Sequence, residues 1–252
     1  MNFLTKLQKS IIDFQFYKVV RKESVGTAFL YSTKLAIIFG LISLINLVIG
    51  FNQVVDWFND YYWENIPDYV FEDGELSIKD NQPFVWEEGD IVVAVDTSGQ
   101  IGPEILDSYH EGFYISKDSA IFKQNGIEKR EFDLTQFVGV KFTRDDVGVW
   151  IPYLKWINGL FVIFGLIGFW INLLWSALLV TLLGLLICFG KNHFSDLYKI
   201  SIYALTMPIL IRTAKDLLML DIPWFSLIYY VIAGFYMWQA TSLIKKDQAA
   251  VE

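Results

Sequence analysis

Residues 156–190 read WINGLFVIFGLIGFWINLLWSALLVTLLGLLICFG, without one charged side chain. A run this long and apolar belongs in lipid, where a hydrocarbon core of about 30 Å takes roughly twenty apolar residues per helix. As a single helix it would reach about 50 Å, well past one such core. Length therefore predicts two crossings here, with a tight turn near Gly168 to Ser176. Working outward, Leu35 to Val55 and Pro223 to Ile244 are also free of charge, and each predicts one crossing. Leu197 to Leu220 predicts another, interrupted by Pro208 and carrying Arg212, Lys215 and Asp216 near its end. The expected fold class is an α-helical transmembrane bundle of about five helices, with four as the alternative, holding an inserted small β-rich extracytoplasmic domain. Lys191, Lys199, Lys245 and Lys246 favour four crossings, while Arg212 and Lys215 favour five.

The composition agrees with a membrane class: 54% of residues are hydrophobic and 19% charged, too apolar for ordinary soluble domains. The net charge of -8 conceals a division. Residues 53–150 hold 7 Lys+Arg against 21 Asp+Glu, a net -14, and the remainder holds 13 against 7, a net +6. So anionic a segment repels phosphates, and no nucleic acid is expected as a partner. The single cysteine, Cys188, sits in an apolar run and allows neither an intramolecular disulfide nor a cysteine metal site, which leaves it as a small apolar filler.

At the start of the chain, Phe3, Leu4, Leu7, Ile11 and Phe14 recur at helical spacing with Lys6, Lys9 and Asp13 opposite. This predicts an amphipathic helix lying on the membrane, within a cytoplasmic segment 1–27. Lys18, Arg21, Lys22 and Lys34 precede the first crossing, 28–55, and such a basic flank keeps the N-terminus in the cytoplasm. The segment reads as an uncleaved anchor, since Phe51, Asn52 and Gln53 follow it where a signal peptide would carry small residues.

Between about Gln53 and Trp150 the pattern changes to short alternating runs broken by turn residues, an independently folded β-rich domain assigned to 56–148. Asp73-Gly74 and Asn125-Gly126 are hairpin turns whose glycines can take positive φ. Ile91 to Val95 predicts a buried strand ending at Asp96-Thr97-Ser98-Gly99. Gly112 to Ile115, Ala120 to Lys123 and Lys129 to Phe132 predict further strands, and Pro103 to His110 one short helix. From 149 to 252 the membrane bundle resumes.

The segments Phe71-Glu72-Asp73-Gly74-Glu75-Leu76 and Val93-Ala94-Val95-Asp96-Thr97-Ser98-Gly99, with the basic start and the closing helices, resemble the bacterial integral membrane family called domain of unknown function 1189. Some of its members are described, from genome context, as maltodextrin-utilisation proteins. The resemblance extends over nearly the whole chain. Tyr203-Ala204 and Thr206-Met207-Pro208 also look like the tyrosine-alanine and threonine-proline pattern of the Yip1-like membrane fold, although Met207 separates the threonine from the proline. The resemblance implies a Gram-positive-type plasma membrane location and carries over no catalytic residue.

Three groups of residues invite chemistry. Asp96, Thr97 and Ser98 form a candidate extracytoplasmic binding site; Asp-Thr-Ser-Gly resembles the aspartic-protease signature, which needs a second carboxylate to share its proton. The plainer reading is a strand closed by an Asx-type turn. Pro208, Arg212, Lys215 and Asp216 form a candidate intramembrane or interfacial site, because charges are costly in hydrocarbon and Arg212 and Asp216 can pair four residues apart. Snorkelling at the membrane boundary is the plainer reading, with Asp221 marking the helix end. Glu87, Glu88, Asp90, Asp145 and Asp146 lack EF-hand spacing and read as solvated surface. His110 and His193 stand apart without a ligand pattern, so no metal and no cofactor is expected. Gly159, Gly165 and Gly168 read as close helix packing.

The expected function is a non-enzymatic accessory or sensory membrane protein that binds a ligand or a membrane protein partner, such as a transporter, through its exterior domain. The alternatives are a carrier, channel or lipid-handling protein working through the bundle, and a membrane-tethered hydrolase using Asp96.

Overall fold

The computed structural model describes residues 1–79, 81–188 and 193–249, with the backbone alone for 188 and 246–249. Lys191 and the side chains of Cys188 and Lys246 lie outside the described residues. The chain divides into two compact units: residues 1–51 with 156–252, and residues 52–155.

The first unit is helical. It contains α1 (Phe3–Ile12), α2 (Phe16–Lys22), most of α3 (Val25–Asn65), α5 (Ile157–Cys188), α6 (Phe194–Ala204), α7 (Thr206–Leu217) and α8 (Phe225–Ala249). Four stretches, Val25–Asn65, Arg144–Ile187, Phe194–Leu217 and Phe225–Lys245, are long and apolar enough to cross a membrane among the described residues. The five-crossing expectation is corrected at α5, which runs as one helix of 32 residues through Gly168 and Ser176. Nothing between those residues breaks a helix, since residues 169–175 contain neither proline nor glycine. A methyl group on Gly165 would stand 2.9 Å from the Leu44 side chain, and one on Gly40 would stand 2.9 Å from Leu166, so both glycines let α3 and α5 approach. Gly159 and Gly168 have open space beside them, so the packing expected there is absent.

The break comes between α6 and α7, at Leu205. Pro208 lacks an N–H and its ring clashes with the carbonyl four residues back, which is that of Ala204, where α6 ends. Pro208 then sits in the first turn of α7, where proline is tolerated.

The N-terminal segment also departs from expectation. Two helices replace the expected one, because the Asp13 carboxylate accepts the Gln15 amide (3.0 Å) and turns the chain. Lys6 and Ser10 are buried, whereas Leu4 and Ile12 are each 68% exposed. The face of α1 that packs on the bundle therefore carries the lysine. Phe16, Tyr17, Val20, Leu35, Leu173, Ile202 and Met237 belong to the apolar core of this unit.

The second unit holds two sheets. Residues 56–65, expected as part of the β-rich domain, instead continue α3. Asp56, Asp60 and Glu64 recur every four residues there, while Val55 and Tyr62 are buried. The first sheet has strand order β2-β1-β8, from β1 (Tyr69–Glu72), β2 (Glu75–Ile78) and β8 (Lys141–Thr143), all antiparallel. The second has order β3-β4-β5-β6-β7, from β3 (Phe84–Glu88), β4 (Ile91–Val95), β5 (Glu111–Ile115), β6 (Ser119–Gln124) and β7 (Glu128–Asp133). Its β4–β5 pair is parallel and the others are antiparallel. The crossover between β4 and β5 contains a 3-10 helix, Pro103–Ser108, that packs Leu106 against Val92, Ala94 and Tyr114. Both expected hairpin turns are present, with φ of 52° and 84° at Asp73 and Gly74 and of 54° and 73° at Asn125 and Gly126. The short helix α4 (Arg144–Trp150) follows β8 and is started by a Thr143–Asp146 capping box.

Candidate functional site

The turn after β4 is the first candidate. Asp96 is 1% exposed. One of its carboxylate oxygens accepts the Ser98 amide (2.8 Å) and hydroxyl (2.6 Å), and the other accepts the Ile101 amide (2.7 Å). Burial pushes this carboxyl up, but the hydrogen bonds from the Ser98 hydroxyl and from the Ile101, Ser98 and Gln100 amides outweigh it, and the group lies below its ordinary value. Thr97 donates its amide (2.8 Å) and hydroxyl (2.9 Å) to the Gln82 side-chain carbonyl. All three residues are thus engaged in closing the strand.

The second candidate lies in the helical unit. Arg212 donates to the Asn172 side chain (3.0 Å), and its Nε stands 3.8 Å from Asp216. Lys215 pairs with Asp216 at 2.9 Å. Asn46 donates to the carbonyls of Asp216 (2.8 Å) and Leu217 (3.0 Å), and Ser43 to Thr213 (3.4 Å). Asn46 and Asn172 lie near the midpoints of α3 and α5, so this group joins α7 to the middle of both long helices. Pro208, buried one turn earlier, is not brought to the group.

A third cluster escaped the sequence reading. Lys6 Nζ stands 2.7 Å and 2.8 Å from the Glu23 carboxylate oxygens and 3.2 Å from the Tyr203 hydroxyl, which itself donates to Glu23 (2.9 Å). The Tyr203 ring stacks on Tyr31 with centroids 4.1 Å apart, and the Tyr31 hydroxyl meets Thr206 at 2.8 Å and Ser10 at 3.3 Å. Beside them Lys199 donates to the carbonyls of Arg21 (2.6 Å) and Glu23 (3.0 Å). The Tyr203 and Thr206 pattern was the available signal. Their charged neighbours were hidden because Lys6 and Tyr203 stand 197 positions apart.

The fourth feature is a cavity of about 560 Å3 inside residues 52–155. Pairing builds its walls. Phe71 pairs with both Leu76 and Phe142, and Tyr69 with Ile78, which sets an apolar row on the three-stranded sheet. Phe84, Val95, Ile115 and Ala120 are successive partners across β3, β4, β5 and β6, and they form one row of the other wall. Ala120, the smallest of them, leaves room. The one hydroxyl in the lining, that of Tyr69, donates to the Tyr62 oxygen (2.8 Å), since Tyr62 gives its own proton to the Arg144 carbonyl (2.9 Å). Leu134, Phe137 and Val140 complete the lining from a strap after β7. The hairpin turn between β1 and β2 fastens that strap: the Asp73 carboxylate accepts the Gly139 amide (2.8 Å), and the Asp73 amide donates to Val140 (3.1 Å). Beyond the cavity Phe113, 48% exposed, continues the apolar face.

Among the described residues no three His, Cys, Asp or Glu side chains gather into a metal-holding group. The family model described as protein of unknown function, DUF1189, matches residues 4–241. No curated protein and no solved structure matches the chain.

Proposed function

This chain belongs to the DUF1189 family, whose function is not known, and we propose that it is a membrane-anchored binding protein whose residues 52–155 hold an apolar ligand. The cavity between the two sheets carries this reading. Its volume of about 560 Å3 falls within the 300–1,000 Å3 typical of small-molecule sites, and its one hydroxyl is already paired. Most β sandwiches fill that space with side chains from both sheets. The protein acts by binding and not by catalysis, in keeping with the Asp96 oxygens closing a turn. The basic N-terminal segment keeps the first helix end in the cytoplasm of a bacterial cell, and the acidic unit faces outward from the plasma membrane. As an accessory or sensory protein, it passes the occupancy of the cavity to a membrane partner such as a transporter.

The test is retention. Full-length protein purified in mild detergent should release, on organic extraction, one apolar molecule per chain beyond the amount released by the cavity-filling variant Ala120→Trp. Equal release from both proteins, with matching circular dichroism, overturns the reading.

A second reading, a carrier or channel, is favoured by the polar group that joins Arg212 and Asp216 to Asn172 and Asn46 at mid-helix. It predicts flux across reconstituted vesicles that is lost when Arg212→Ala and Asp216→Ala are combined. Flux unchanged in that double variant counts against it.

A further inference from the structure

Resting on the reading above, we infer that the cavity takes one acyl chain of a zwitterionic membrane phospholipid. Three observations select this occupant. The first is what the walls offer. The lining presents aliphatic and aromatic side chains, and its single hydroxyl is engaged with Tyr62. A peptide would bring amide and carbonyl groups that must be hydrogen-bonded once they leave water. A hydrocarbon chain brings none.

The second observation is size. At about 560 Å3 the cavity lies on the scale of a single small-molecule site, room for one lipid chain. The other chain and the headgroup stay outside, past the strap, where Phe137 is 51% and Val140 39% exposed.

The third is supply and charge. Ile66 and Pro67 open the lining directly after α3 ends at Asn65, ten residues past the charge-free stretch that closes at Val55. The chain that begins the lining thus follows directly on a helix that carries a membrane-length apolar stretch. A free fatty acid carries an anionic head. Residues 53–150, with a net -14, repel it, whereas a zwitterionic head is neutral.

The experiment places the full chain in vesicles of phosphatidylcholine doped with a diazirine-acyl phosphatidylcholine, followed by illumination, digestion and mass spectrometry. Adducts are expected on peptides within residues 66–142. Ala120→Trp, or Val95→Phe entering from the neighbouring strand, should lower those adducts at least about tenfold. Adducts on α3, α5 and α8 serve as the internal standard and should not change. A second set of vesicles carries diazirine-labelled oleate at the same level and should label 66–142 more weakly. Labelling of 66–142 that both filling variants leave unaltered overturns the inference, as does stronger labelling by oleate. If extraction still recovers one apolar molecule per chain while phosphatidylcholine leaves 66–142 unlabelled, the acyl-chain assignment fails and the apolar-site reading stands. If both are negative, both fail.

Discussion

Glu23→Ala is expected to destabilise the full-length protein by about 3 kcal/mol, the low end of what removing one partner of a buried ion pair costs. The side chains of Lys6 and Glu23 are only 10% and 17% exposed, so the substitution strands an ammonium group with the Tyr203 hydroxyl as its remaining partner. That hydroxyl also loses its acceptor, which adds to the loss. The double variant Lys6→Met with Glu23→Gln removes the charge and keeps an acceptor for Tyr203, and it should cost less than about 1 kcal/mol, because an apolar replacement of a buried pair is often neutral. Thermal melting in one mild detergent compares the three proteins. If the double variant melts as low as Glu23→Ala, the charge explanation is wrong and the segment is held by packing alone.

The second large effect is expected at Gly74. Its φ is 84°, and a methyl group there would stand 2.5 Å from the Leu134 carbonyl oxygen and 2.6 Å from the Thr135 Cα, both backbone atoms that cannot swing aside. Positive φ alone costs a residue other than glycine roughly 1–2 kcal/mol, and forced overpacking adds about 1–3. Gly74→Ala should therefore destabilise residues 52–155 by about 3 kcal/mol and lift the strap from the cavity. Gly89 is the matched control: its φ is 59° and the space beside it is open, so Gly89→Ala should cost only about 1 kcal/mol. Limited proteolysis should cut the Gly74→Ala protein between 134 and 140 while sparing the control. Equal cleavage and equal melting of the two variants would sink the proposed role of the turn.

How much of this was legible depended on distance along the chain. The hairpins at Asp73-Gly74 and Asn125-Gly126 and the strand Ile91–Val95 could be read because turn chemistry and alternation act over a few residues. The β3 and β8 strands were missed: β8 has three residues, and its identity comes from pairing with β1 some seventy positions earlier. The expectation of a turn inside α5 failed because length alone argued for it while no residue supplied a break; the α3 pairing that supports the long helix is a tertiary fact. The candidate residues fared similarly. Asp96 was found, and its plainer reading as a turn former matches the bonds it makes. Arg212, Lys215 and Asp216 were found together, but Asn46 and Asn172 belong to other helices and gave no local sign. Nothing in the sequence marked the cavity, since a void is a property of two facing sheets and no local pattern encodes it.

The pairing of β1 with β8 also constrains how the molecule is made. Glu72 is matched with Lys141, so the three-stranded sheet stays incomplete until almost seventy further residues have left the ribosome. The hairpins of the five-stranded sheet can zip earlier, being local, whereas the closing strand arrives last and pays the entropy of a long loop. A nascent chain halted before residue 141 would display Phe71 and Leu76 bare to its surroundings, a state that invites chaperone capture or proteolysis.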